Sequence, residues 1–473
     1  MTGGPVALHP DRLFPADPAT RGVARTLYAA AASAPIVSPH GHVDAGLLLR
    51  DEPFTDPADL LVVPDHYVLR LLHAHGADLG ALGRAPRGDS PGADPREIWR
   101  TFCAHWGAFA GTPVRYWTTA ILADVFGTDL TPSSATADAL YDELVAALAR
   151  PEFRPRALFE RFGIEVLATT DDPADDLADH AALRDDPEFA GRVLPTFRPD
   201  AYLDPGVPGW PARLDRLGAA AGIDTGTHAG LVAALENRRA YFAERGATAT
   251  DTGPVDAWAL PLRAPEAERI HAAFLASSGT PEEATAYRRH MLFELMRMAS
   301  EDGLVMQLHP SVIRNHHGPT LERYGPDTGH DLPDVGAFTR PLRTALEAFG
   351  TNQRFRLVLF TVDETTFSRE IAPLAGFYPS VYAGAPWWFL DTPSAIARYR
   401  GAVTDSAGFG KTSGFIDDTR AFCSIPARHD MARRMDAGFL ASLVVTHQLS
   451  EEEAAAIAVD LAAPLPRRVF RLE

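Results

Sequence analysis

Two histidines one residue apart, His40 and His42, sit in "APIVSPHGHVDAGLL", directly after a short apolar run. Side chains at i and i+2 of a strand point to one face, whereas on a helix they diverge by about 200°. A pair at a strand exit can therefore aim two imidazoles at one divalent cation. With 17 His in 473 residues, about 0.6 such pairs are expected by chance, so the spacing alone is weak evidence. A second pair, His73 and His75, ends the run "HYVLRLLHAHGADLG", in which Val68, Leu71 and Leu72 recur at helical spacing before Gly76. That pair reads as a helix end. For His40 and His42, metal binding and a structural role both stay open on the pair alone.

Other ionisable residues follow other short apolar runs: Arg198 after "RVLPTF", His309 within "LVMQLHP", and Asp417, Asp418 and Arg420 in "SGFIDDTR". Singly, each has a structural alternative: the arginine as part of a turn, the aspartates as caps of a following helix. Jointly, two His from one run, a His from another and an Asp from the last supply a site for zinc or manganese.

The runs that must position these groups are "PIVSPHG" (35–41), "IEVLATT" (164–170), "RVLPTF" (192–197), "VDAWAL" (255–260), "LVMQLHP" (304–310), "RLVLFT" (356–361), "SVYAGAP" (380–386) and "SGFIDDT" (413–419). Several are short and apolar throughout, as strands covered on both faces are, and helical patterns separate them. Eight such runs predict an α/β fold, a (β/α)8 TIM barrel, whose chemistry sits at the C-terminal ends of the strands. The segment between the first two runs is too long for a simple crossover. Its pieces "DPREIWRTFCAHWGAFA" and "ATADALYDELVAALARPEFRPRALFERFG" read as amphipathic helices, joined to what precedes them by a Gly/Pro/Arg-rich loop, 83–95. The expected organisation is a metal-dependent barrel of 1–50 and 155–473, with a helical insertion, 51–154, over its C-terminal mouth. A second helical stretch is expected at roughly 211–250.

A net charge of −18 argues against nucleic acid or an anionic membrane as partner. An anionic small molecule would need local arginines or a metal. Two cysteines, Cys103 and Cys423, provide no disulfide framework and read as buried thiols of a reducing compartment. The start "MTGGPVALHPDRLFPADP" lacks the basic and apolar regions of a signal peptide, and the expectation is a cytoplasmic protein. Oligomeric state is not legible, and a homo-oligomer is compatible with everything above.

Several motifs together carry a resemblance. The pair His40/His42, "DHY" (Asp65, His66, Tyr67), "FRPD" (Arg198), "QLHPSVIRN" (His309, Arg314), "GAPWWF" (Trp387, Trp388) and "DDTRAF" (Asp418, Arg420) make the chain similar to the uronate (glucuronate) isomerases of the amidohydrolase superfamily. The likeness runs from "LFPADPATRGVARTLY" to the C terminus. Two departures, "PHGH" for the family's "YHCH" and "VDAWAL" where many members carry a histidine motif, point to a divergent branch.

The resemblance implies interconversion of D-glucuronate with D-fructuronate and of D-galacturonate with D-tagaturonate. One divalent ion, zinc or alternatively manganese, would be held by His40, His42 and Asp418; whether His309 binds metal or substrate is open. Asp418 would accept the C5 hydroxyl proton during ring opening. Tyr67 and His66 are expected to move the proton between C2 and C1, with Arg420 or His66 as the cation that lowers the Tyr67 pKa. Arg198, His309, Arg314 and Trp387 are expected to bind the hexuronate, Trp387 by stacking, and Arg198, Arg314 and Arg420 each to hold its carboxylate or to stabilise enediolate charge. A metal-dependent hydrolase or decarboxylase on the same barrel, and a non-catalytic sugar-acid binding protein, remain alternatives, since fold alone does not fix chemistry.

Overall fold

The computed structural model describes residues 8–86 and 92–473. The predicted loop 83–95 is thus seen at its two ends only, its residues 87–91 lying outside the described part, as do residues 1–7.

The strands are β1 (Ile36–Ser38), β2 (Ile164–Ala168), β3 (Arg192–Leu194), β4 (Ala249–Thr252), β5 (Val305–Leu308), β6 (Val312–Ile313), β7 (Leu332–Pro333), β8 (Leu357–Leu359) and β9 (Val381–Ala383). β1, β2 and β3 form one parallel sheet, β4, β5, β8 and β9 a second, and β6 pairs antiparallel with β7. Single bridges from Asp171 to Phe197 and from Phe197 to Thr250 continue the pairing towards β4, and one from Ala383 to Thr412 continues it beyond β9. Past β1, the His42 N–H donates to the Thr419 carbonyl at 3.0 Å. β5 and β8 are buried at every position, as strands enclosed on both faces must be.

Six of the expected runs contain a strand, and the run 413–419 joins the pairing only through the Thr412 bridge and the Thr419 carbonyl. The fourth run is a correction. "VDAWAL" is not a strand; the strand is β4, "ATDT", at the end of what was expected to be helix. All four of its side chains are buried, yet Ala, Asp and two Thr give almost no apolar signal. Hydrogen bonding sustains that burial: Thr252 Oγ1 donates to Asp200 at 2.5 Å, and Asp251 receives a histidine and an arginine. In "VDAWAL" itself, Asp256 accepts from Trp258 N and pairs with Arg289 at 2.8 Å, which makes a turn. The departure noted there therefore does not fall on a strand. Before β4 the helical stretch divides into Trp210–Ala221 and His228–Glu244.

Between β1 and β2 the chain forms helices that include His66–Ala74, Pro95–Ala104, Ala137–Leu148 and Pro155–Arg161. Their apolar faces share one continuous core with Val37 of β1, Val166 of β2 and Ile425 and Met431 near the C terminus. His73 and His75 do end a helix, with Gly76 at φ +94°. Cys103 and Cys423 are free and buried. Among the described residues, no helix is long and apolar enough to cross a membrane.

A buried polar chain lies elsewhere in the fold. Leu262 N–H donates to His290 Nδ1 (3.2 Å), which leaves the His290 proton on Nε2 to donate to His228 Nε2 (3.1 Å). His228 Nδ1–H then donates to Tyr287 Oη (2.9 Å), Tyr287 O–H to His271 Nδ1 (2.8 Å), and His271 Nε2–H to the Thr225 carbonyl (3.0 Å). One direction of donation satisfies every group with each imidazole neutral.

Candidate active site

A cavity of about 490 Å³ is lined by His40, His42, His66, Tyr67, Arg198, His309, Arg314, Trp387, Asp418 and Arg420. Every residue given a catalytic, substrate-binding or metal role in the sequence lines it, whereas Asp417 does not and pairs with His429 at 3.0 Å instead. Their origins are scattered: His40 and His42 follow β1, Arg198 follows β3, His309 directly follows β5, and Trp387 follows β9. His66 and Tyr67 open the helix His66–Ala74, whose start is fixed by Asp65 accepting a hydrogen bond from Tyr67 N at 2.8 Å.

Asp418 is the centre of the ionisable cluster. Its Oδ1 lies 3.1 Å from His42 Nε2 and 3.4 Å from His40 Nε2. It does not cap a helix; its backbone is left-handed, φ +40°, a conformation that a non-glycine residue holds only when its surroundings enforce it. Burial pushes its carboxyl up, but His40 and His42 hold it well below the usual carboxylate range. His40 is fully enclosed; burial works against its protonation, yet Asp251 and Asp418 raise it above the ordinary histidine value. Burial lowers His42 and His309.

Ligand atoms of His40, His309 and Asp418 all lie within 4.8 Å of one another, a potential metal site. These residues fit a divalent ion. His309 Nε2 is buried without a hydrogen-bond partner, while its Nδ1 is held by Asp251 Oδ1 at 2.7 Å. A carboxylate that orients one nitrogen and leaves the other free is the usual support of a metal-ligating imidazole.

The three arginines are paired already. Arg198 contacts Asp200 (2.7 Å) and Asp251 (3.0 Å), Arg314 contacts Asp331 (2.7 Å), and Arg420 contacts Asp327 (3.0 Å). Arg198 and Arg314 approach each other over Gly253, where an added Cβ would stand 3.3 Å from Arg314 Nη2 and 3.5 Å from Arg198 Nη2. Trp387 meets His309 edge to face, and Trp388 packs on both His66 and Tyr67.

The protonation states of His66 and Tyr67 correct one expectation. Burial and, secondarily, Arg420 bring His66 down to about 3, so it is a neutral imidazole at physiological pH. Burial also pushes the Tyr67 hydroxyl above its ordinary value, and the opposing cation is Arg428, whose guanidinium lies 4.7 Å over the ring, not Arg420 or His66. Tyr67 is therefore a phenol at neutral pH. Arg428 escaped sequence reading because it lies in a helix, Ile425–Val445, with no strand exit to mark it. Asp251, Asp200, Asp327 and Asp331 also line the cavity and were not foreseen. Asp251 was hidden by the misplaced fourth strand; placing β4 on "ATDT" would have put it at a strand end.

The family model described as glucuronate isomerase matches residues 19–463, a span that includes every one of these side chains. The chain belongs to the glucuronate isomerase family. A uronate isomerase of Rhizorhabdus wittichii is 51% identical over 473 residues, covering 100% of both chains. One of Corynebacterium efficiens is 50% identical over 467 residues, covering 98% of this chain and 99% of its own. Among solved structures, the glucuronate isomerase of Caulobacter crescentus superposes with a TM-score of 0.97 at 43% identity, covering 99% of this chain and 98% of the other.

Proposed function

We propose that this member of the glucuronate isomerase family interconverts aldose and ketose forms of hexuronates, D-glucuronate with D-fructuronate and D-galacturonate with D-tagaturonate. The observation that carries the reading is one cavity holding a His/His/Asp cluster, three arginines and an acid/base pair of opposite character. The strand order, read through the bridges at Phe197 and Thr412 and the His42–Thr419 hydrogen bond, supports a closed (β/α)8 barrel. The helical segment 51–154 is read as an insertion over its mouth, contributing His66 and Tyr67.

His40, His42 and Asp418, with His309 as a further ligand, would hold one divalent ion, zinc or alternatively manganese. When bound, it supplies Lewis-acid charge that makes a nearby hydroxyl easier to deprotonate. Ring opening corrects the expectation for Asp418: the C5 oxygen is the ring atom and bears no proton in the cyclic sugar, so Asp418, ionised at neutral pH, takes the C1 hydroxyl proton and passes it to that oxygen as the bond from C1 to the ring oxygen breaks. Arg198, Arg314 and Arg420 meet the C6 carboxylate; each gives up part of an existing aspartate contact to do so. Tyr67 begins as a proton donor and His66 as a neutral acceptor, the two capacities that moving a proton from C2 to C1 requires. Trp387 offers a face for the sugar. The free, buried thiols support a reducing, cytoplasmic setting.

No observation favours the hydrolase, decarboxylase or binding-only alternatives. The deciding assay compares kcat/KM for D-glucuronate, D-galacturonate and D-glucose, with and without added zinc. Both uronates should be turned over, with glucose poorer by about 10² or more because it cannot meet the arginines. Equal values for glucuronate and glucose would overturn the reading.

A further inference from the structure

We propose that Arg428 is a positioning residue for the proton transfer, holding Tyr67 in register with the loop that carries Asp418. The inference rests on the hexuronate isomerase reading and adds a residue outside the cavity lining. Arg428 is 0% exposed, and its guanidinium joins segments that are far apart in the chain. Nη1 donates to Asp391 Oδ2 at 2.6 Å, at the end of the segment bearing Trp387 and Trp388. Nη1 also reaches the carbonyl of Asp417, the residue before Asp418, at 3.4 Å, and Nε donates to Ser424 Oγ at 3.0 Å. Its plane lies 3.7 Å over Trp117 and 4.7 Å over Tyr67.

An enclosed guanidinium is an expensive way to fill space, since apolar residues of similar volume often do so at lower free energy. What it provides is a rigid fork able to grip several partners at fixed angles, which a lysine cannot copy. Here the fork ties the helix that presents Tyr67 to the strained backbone around Asp418 and to the tryptophan segment. Arg428 acts on the reaction through the position of the Tyr67 ring, the other contacts serving to hold the fork in place.

The test is a double-mutant cycle on the metal-loaded enzyme with D-glucuronate, using Arg428→Lys, Tyr67→Phe and the double variant. Arg428→Lys should lower kcat by about 10-fold or more, with KM changed by less than about 3-fold and metal content unchanged. The double variant should be no slower than Tyr67→Phe alone. Losses that multiply in the double variant would overturn the proposal, as would an unchanged kcat in Arg428→Lys. Asp391→Asn, which weakens the grip on the guanidinium while keeping its shape, should show the same non-additivity and serves if Arg428→Lys does not fold. A wild-type enzyme inactive on both uronates would instead defeat the functional reading. The crystal structure of the variant then decides the positioning: a displaced Tyr67 ring supports it, and an unmoved ring overturns it.

Discussion

Replacing Asp251 with asparagine removes one charge from the most enclosed carboxylate at the site and leaves its shape intact. Asp251 is 1% exposed, with Oδ1 2.7 Å from His309 Nδ1 and Oδ2 3.0 Å from Arg198 Nη1. Burial would favour its neutral form, but Arg198, His309 and His40 hold the carboxyl far below the usual range, so it is ionised throughout the working pH range. Breaking a buried ion pair typically costs about 3–5 kcal/mol because the remaining charge is stranded. Arg198 is not stranded, since it keeps Asp200 at 2.7 Å, so Asp251→Asn should lie near the lower end, about 3 kcal/mol. His309 loses the anion that fixes its proton on Nδ1 and presents Nε2 to the cluster. The loss of such an outer partner usually weakens metal binding by about 10–100-fold. Urea unfolding reads the first quantity, and elemental analysis after graded competition with a chelator reads the second. Stability within about 0.5 kcal/mol of wild type, together with unchanged metal affinity, would refute the assignment of Asp251 as the support of His309.

Three further outcomes are expected. The double substitution His40→Ala/His42→Ala should abolish stoichiometric metal binding while His73→Ala leaves it intact; full metal content in the double variant would contradict the ligand set. Tyr67→Phe should retain metal and substrate affinity yet lower kcat by about 10² or more, with slowed loss of label from C2-deuterated substrate as the check; near-normal turnover would shift the proton role to His66. The His228–Tyr287–His271 chain should make the fold acid-labile, because burial holds both His228 and His290 down at about 4 from an ordinary 6.5. The unfolded chain takes up protons below 6.5 and the folded chain does not until about 4, so stability is full above 6.5 and falls between those values, by about 3 kcal/mol at most for each imidazole. Unfolding followed from pH 7.5 to 4.5 should show a shallower slope in His290→Gln than in wild type; equal slopes would count against the chain.

The reactive groups were legible because their signals are local. His40 and His42 follow an apolar β-type run, Asp418 and Arg420 stand in a distinctive string, and His66 and Tyr67 stand in the short "DHY" motif. Short, largely apolar runs marked β5, in which Gln307 is the one polar residue, and β8 for the same reason: a strand covered on both faces shows no alternating polar side. β4 broke that rule. Its polar side chains are buried against Arg198 and Asp200 beyond β3 and His309 beyond β5, and nothing within "ATDT" announces them.

Sequence by itself therefore determined the residue types of the site, the family and most of the strands, since these depend on neighbours within a few positions. Only the tertiary structure decided which charges face which. It set Asp251 against His309 and Arg198, gave each cavity arginine an aspartate partner, and placed Arg428, rather than Arg420 or His66, over Tyr67. It also fixed the protonation states, holding Tyr67 as a phenol and His66 as a neutral imidazole. The physical reason is that pKa values and ion pairs are set by burial and by charges a few ångströms away in space, and here, Arg198–Asp200 apart, those charges come from residues tens to hundreds of positions away along the chain.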